Sequence, residues 1–231
     1  MKKIVTIFCI WVVFLFFINK ASTYFLKNMT SYEVYFPQVT MPMRPVFMPW
    51  LNYDGRNYFA IVMDGYRDDY FKNGKLANVD EKRVFFPLYP LIIRALSLDR
   101  HINPIFVGLG VSYVSLLGSL FILYDLVQKD FDNKKAIKTV LLLLLFPTSY
   151  YFLAYYTESF FLFLSLLMFW FLRKKNFLAA SAVCALATAT RMIGVSLIIP
   201  LLYEAYLYYK KTKKISFMRK SSRILFGYEL K

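Results

Sequence analysis

The sequence predicts an all-α protein, a polytopic transmembrane helical bundle with a large outer first loop, and three observations carry that prediction. Hydrophobic residues make up 58% of the 231 and the mean hydropathy is +0.45, outside the range of ordinary soluble domains. The apolar runs are long, and several are bounded by Lys or Arg rather than by Gly or Pro. The net charge of +15 is spread over the ends of those runs instead of one soluble patch. Charge so placed orients helices and meets anionic membrane lipid, and it argues against nucleic acid as a partner.

Each element follows in order within one integral membrane domain, 1–231. Lys2 and Lys3 precede an apolar run that resumes at Tyr24-Phe25-Leu26, so 4–26 reads as a first span with its basic start in the cytoplasm. A cleaved signal peptide fits less well, because Asn19-Lys20-Ala21 offers no small-x-small site. The outer loop, 27–101, begins with Pro37, Pro42, Pro45 and Pro49, which argue for extended chain. Arg56 to Tyr66 reads as a short amphipathic helix whose Tyr58, Phe59, Ile61, Val62 and Met63 could lie on the membrane. Asp68 to Arg83 reads as a solvated charged loop, and Asn28-Met29-Thr30 matches a glycosylation acceptor of little weight. The run 85–98 is too short to span, and Pro87 and Pro90 suit a first turn, so a re-entrant or interfacial helix is expected there.

The remaining 102–209 carries five further spans. Ile102 to Val127 is one, about 39 Å at 1.5 Å per residue. Lysines at 129, 134, 135 and 138, the Arg173-Lys174-Lys175 run, and lysines at 210, 211, 213 and 214 belong together on the cytoplasmic side. That requires spans near 136–156, 157–173, 176–190 and 192–209, about six in all, with a basic tail at 210–231. Small residues over 179–189 suit close helix packing in lipid. Cys9 and Cys184 both lie in apolar runs; with a single His and no CxxC spacing, neither a disulfide nor a zinc centre is expected.

This topology brings Asp54, Glu158 and Arg191 to the outer face. Ionisable groups so close to apolar runs have a partner or a task. Glu158 and Arg191 could be a structural ion pair between hairpins, and Asp54 the N-cap of the helix that follows it. Asp64, Asp68 and Asp69 could hold a divalent ion, but beside Arg67 and Lys72 they read as solvated charge, and no metal or other cofactor is expected.

In order along the chain, YDGRNYFAIVMDGY, FFPLYPLIIR, FPTSYYFLAYYTESFFL and ATATRMIG resemble the motifs of PIG-V-type mannosyltransferases, GT-C class membrane glycosyltransferases. Tyr53 stands where family members carry Trp; Asp54-Gly55 and Gly65-Tyr66 are retained, and the resemblance covers roughly 53–200. It implies a GT-C-like fold and transfer of mannose or another hexose from a polyprenyl-phosphate donor to a glycolipid or glycan on the outer or lumenal face. Asp54 would be the catalytic base, and Glu158, Arg191, Gly55, Arg56 and Tyr89 would line the substrate. Family members generally continue through further spans, so the ending RILFGYELK implies a truncated or partial member.

The chemistry agrees with that implication. A glycosidase needs a second carboxylate to protonate an alkoxide leaving group, whereas polyprenyl phosphate leaves as a stable anion, so one base suffices. The competing readings are a non-catalytic transporter, a lipid-binding module, or an accessory subunit bound to a partner membrane protein. A transporter would place its charges near the bilayer midplane in repeated halves, and here they gather at one surface. HExxH, GxSxG and a cysteine pair are all missing from the sequence, which sets protease and redox readings aside. A bacterial plasma membrane is the expected location, with the endoplasmic reticulum as the alternative.

Overall fold

The computed structural model describes residues 2–26, 50–51, 53–66 and 83–226, with backbone alone at 23 and 214–226. The proline-rich start of the outer loop, Asn28, Asp68 and Asp69 lie outside the described residues.

All regular structure among the described residues is helical. The α-helices are α1 (Lys2–Leu26), α2 (Asp54–Asp64), α3 (Leu88–Leu96), α4 (Pro104–Asp130), α5 (Asn133–Leu145), α6 (Glu158–Arg173), α7 (Phe177–Thr190) and α8 (Ile198–Phe226). Two 3-10 helices, Pro147–Phe152 and Met192–Leu197, connect α5 to α6 and α7 to α8. Three stretches are long and apolar enough to cross a membrane: Lys2–Ser22, Pro104–Asp130 and Met192–Lys213. They mark the chain as a membrane protein.

Local sequence fixes the helix starts. Asn103 accepts a hydrogen bond from the Ile105 amide at 3.0 Å, with Pro104 in the first turn of α4. Asp132 does the same for α5 through the Lys135 amide at 2.7 Å, and Asn176 for α7 through the Ala179 amide at 3.1 Å. Phe131 and Asp132 alone join α4 to α5, so the two helices lie side by side.

The span expected at 136–156 is not one continuous helix. Pro147 pushes Phe146 into extended backbone, φ −64° and ψ 135°, and α5 stops at Leu145. The Ser149 hydroxyl then donates to the Leu144 carbonyl at 2.6 Å, satisfying part of the broken end. Beyond the span expected at 192–209, α8 stays helical through much of the basic tail, to Phe226.

Contacts between distant segments show how the bundle is ordered. At one end, the Trp170 indole donates to Asp125 at 3.1 Å, Arg173 pairs with Asp130, and Lys175 pairs with Glu204 at 2.9 Å. The ends of α4 and α6 and the second turn of α8 therefore share a level. At the other end, Arg191 closes α7 beside Glu158, which opens α6. Helices α4 and α6 run one way and α7 the other.

The short helices α2 and α3 form a layer over that second end. Tyr66 donates to the Phe85 carbonyl at 2.7 Å, and Arg100 donates to the Met63 carbonyl at 3.3 Å, joining α2 to both ends of α3. The apolar face of α2 does not lie on the membrane as expected. Tyr58, Phe59, Ile61 and Val62 are buried within the protein, and Tyr58, Phe59 and Val62 share one core with Leu51, Tyr89 and Tyr155. Burying each such side chain contributes about 1.5–3 kcal/mol, so packing rather than lipid holds α2 in place.

Candidate functional site

Asp54 opens α2 but is not its cap. Tyr53 occupies the N-cap position, no side chain caps the helix, and Asp54 is the first helical residue, exposed to solvent. Its carboxylate still gains from the positive end of the helix dipole. Tyr53 is held at φ 52° and ψ −121°, a left-handed backbone that costs a non-glycine residue about 1–3 kcal/mol. The strain turns the chain sharply into α2, immediately before the carboxylate.

Gly55 explains why α2 sits so close to the segment before α6. A Cβ added there would lie 3.3 Å from the Tyr155 carbonyl oxygen and 3.3 Å from the Tyr156 ring. Any larger residue would press Asp54 away from that segment. Arg56, one residue on, is half-buried, and its amide bonds the Tyr53 carbonyl at 3.1 Å.

The segment Ala154–Thr157 is held from several sides. Its Tyr155 amide donates to the Trp50 carbonyl at 2.9 Å. The Ser112 hydroxyl, on α4, lies 2.9 Å from the Ala154 carbonyl and 3.4 Å from that of Tyr156. Tyr89 is fully buried, its hydroxyl 3.1 Å from Ser112 and 3.3 Å from the Gly108 carbonyl. It therefore offers no ring surface to a sugar here, and acts as a strut between α3 and α4. Gly108 in turn receives the Tyr155 ring, which a Cβ would meet at 2.1 Å.

That scaffold places Thr157 and Glu158 under α2. The Tyr58 hydroxyl, one helical turn beyond Asp54, donates towards Thr157 Oγ1 at 3.5 Å. Glu158 Oε1 lies 2.6 Å from Arg191 Nη1, and both side chains are partly open to solvent. The pair joins the positive end of α6 to the negative end of α7, which suits both charges. A pair this exposed is worth under about 1 kcal/mol to folding.

Asp54, Glu158 and Arg191 come from distant parts of the sequence, yet all three act electrostatically on Tyr58. Burial raises the Tyr58 hydroxyl above its ordinary pKa, opposed by Thr157 and Arg191 and assisted by Glu158 and Asp54. Tyr156 is raised too, first by burial and then by the Asp54 carboxylate. Both phenols therefore stay protonated at neutral pH, as donors. Neither phenol stands out in the sequence: Tyr58 has the pattern of membrane-facing surface, although its i+4 spacing from Asp54 places the two on one helix face.

Chemically, the arrangement offers one exposed carboxylate, neutral hydroxyls beside it, and a guanidinium that spends one nitrogen on Glu158. No cluster of three or more His, Cys, Asp or Glu that could hold a metal occurs among the described residues.

Gly194 fixes the turn that carries Arg191. Its amide donates to the Arg191 carbonyl at 2.9 Å, and a Cβ there would fall 2.6 Å from the Thr188 Cα and amide nitrogen. Backbone cannot swing aside as a side chain can. Gly194→Ala is expected to cost about 1–3 kcal/mol and lower the melting temperature in detergent by roughly 5 °C. An unchanged melting temperature would contradict this packing.

No family model, curated protein or solved structure matches the chain.

Proposed function

We propose that this protein is a GT-C type, PIG-V-like glycosyltransferase that moves mannose or another hexose from a polyprenyl-phosphate donor to a glycolipid or glycan. The observation that carries the reading is the packing of α2, which opens with Asp54, through Gly55 and Tyr58 onto the segment that leads into Glu158, itself paired with Arg191 at one end of a membrane bundle. The four ordered motifs that resemble that family are the same segments that build this end.

In this reading the chain crosses the membrane six times, through α1, α4, α5 with its 3-10 extension, α6, α7 and α8. Helices α6 and α7, of 16 and 14 residues, are about 24 and 21 Å long, which recesses the Glu158–Arg191 pair from the outer headgroups while its partly exposed side chains stay open to water. The location is a bacterial plasma membrane, with the endoplasmic reticulum as the alternative.

The reaction requires little machinery. Arg191 turns its remaining donors to the donor phosphate, whose oxygens match the guanidinium fork. The acceptor hydroxyl attacks the anomeric carbon from the face opposite the phosphate. The new C–O bond forms as the bond from the anomeric carbon to the phosphate oxygen breaks, and polyprenyl phosphate departs with that electron pair. Asp54 takes the acceptor proton, and the configuration inverts. No metal is required, since the leaving group is already an anion.

Donor class tests the reading. Membranes containing the protein are supplied with radiolabelled polyprenyl-phosphate mannose or with labelled GDP-mannose, the latter with lipid-phosphate mannose synthesis blocked. Label is expected in the acceptor fraction from the lipid donor alone, and without added divalent cation. Transfer from the nucleotide sugar only, or from neither, would overturn it.

A further inference from the structure

We infer that the basic end of the bundle, opposite Asp54, is a docking surface for the headgroups of anionic phospholipids. This inference stands apart from the transferase reading and does not need it. Its basis is a local charge imbalance together with the depth at which the cations are held.

Every described carboxylate at this end is already engaged. Asp125 takes Lys129 at 2.5 Å and the Trp170 indole, Asp130 takes Arg173, Glu204 takes Lys175, and Asp132 caps α5. Lys134, Lys135, Lys138 and Lys174 are exposed and take no carboxylate among the described residues. What remains is an uncompensated positive surface.

Two of these cations rest on aromatic rings. Lys174 Nζ lies 3.4 Å from the centre of the Trp170 ring, and Lys135 Nζ lies 5.2 Å from that of Phe131. Trp170 is itself fixed through its indole N–H to Asp125. An indole with its polar edge satisfied and its body against apolar helices belongs at the membrane–water boundary. Lys174 and Lys135 are therefore held at that level.

The connections decide between lipid and a soluble acidic partner. Phe131 and Asp132 alone join α4 to α5, and Lys174, Lys175 and Asn176 alone join α6 to α7. Turns that short cannot project into the aqueous phase. They hold the ammonium groups at the depth of lipid phosphates, where each contributes about fivefold to association with an anionic surface.

The test uses the full chain, purified in detergent and exchanged against mixed phosphatidylglycerol and phosphatidylcholine, with retained lipid counted by native mass spectrometry. Wild type is expected to retain phosphatidylglycerol preferentially, and the preference to fall as salt is raised. The double variant Lys135→Gln/Lys174→Gln should lose about fivefold of that preference per lysine. Arg94→Gln, at the other end, should leave it unchanged. Equal circular dichroism and elution volume show that both variants fold. Equal retention of the two lipids by wild type, a preference that survives the double variant, or one that is lost with Arg94 would each overturn the inference.

Discussion

Replacing Asp54 with Asn is expected to lower sugar transfer by about 10²- to 10⁴-fold while donor binding stays at the wild-type level. The change is isosteric, and the side chain it alters is exposed and caps no helix, so the fold has little to lose. What disappears is the group that accepts the proton of the attacking hydroxyl. Binding is governed instead by the phosphate and its cation. Transfer rate and donor affinity, measured on one preparation, separate the two roles. Full transfer by the variant would return Asp54 to a helix-dipole role alone.

Arg191→Gln is expected to lower transfer efficiency by about 10²-fold, mainly as a weaker apparent affinity for the donor. The companion changes distinguish a phosphate site from a structural ion pair. A structural pair, already worth little in this half-exposed setting, would make Arg191→Gln and Glu158→Gln alike. A phosphate site makes them opposite, because Glu158 competes with the phosphate for Arg191, and its removal should leave affinity equal or improved. Arg191→Lys should recover only part of the loss, since an ammonium lacks the planar fork. Initial rates over a range of donor concentrations check all three. Equal losses at 158 and 191 would contradict a phosphate role.

Much of the site's topology could be read from the chain because charge and hydropathy act over whole helices. Basic residues at one set of helix ends forced Glu158 and Arg191 to the other, and the structure pairs them at 2.6 Å. A short helix in the run 85–98 was readable from Pro87 and Pro90, and α3 forms at Leu88–Leu96. What the chain concealed were effects set by close packing. Tyr58, Phe59 and Val62 have the pattern of a membrane-surface stripe, yet Tyr89 and Tyr155, remote in sequence, cover them. Periodicity reports that a face is apolar but not what covers it. Gly108 and Gly194 passed unremarked for the same reason, since a glycine's role appears only when its neighbour is known. The break before Pro147 was a local signal, masked by the hydropathy of the residues on either side.

One double-label measurement tests the central claim most directly. A polyprenyl-phosphate mannose carrying tritium in the sugar and radiophosphorus in the phosphate is added to vesicles holding the purified protein and an acceptor glycolipid. Tritium should move to the acceptor while an equal amount of radiophosphorus remains as polyprenyl phosphate, marking cleavage between the anomeric carbon and the phosphate oxygen. Both labels moving together, tritium released as free sugar, or both remaining on the donor would contradict a hexosyl transfer at Asp54.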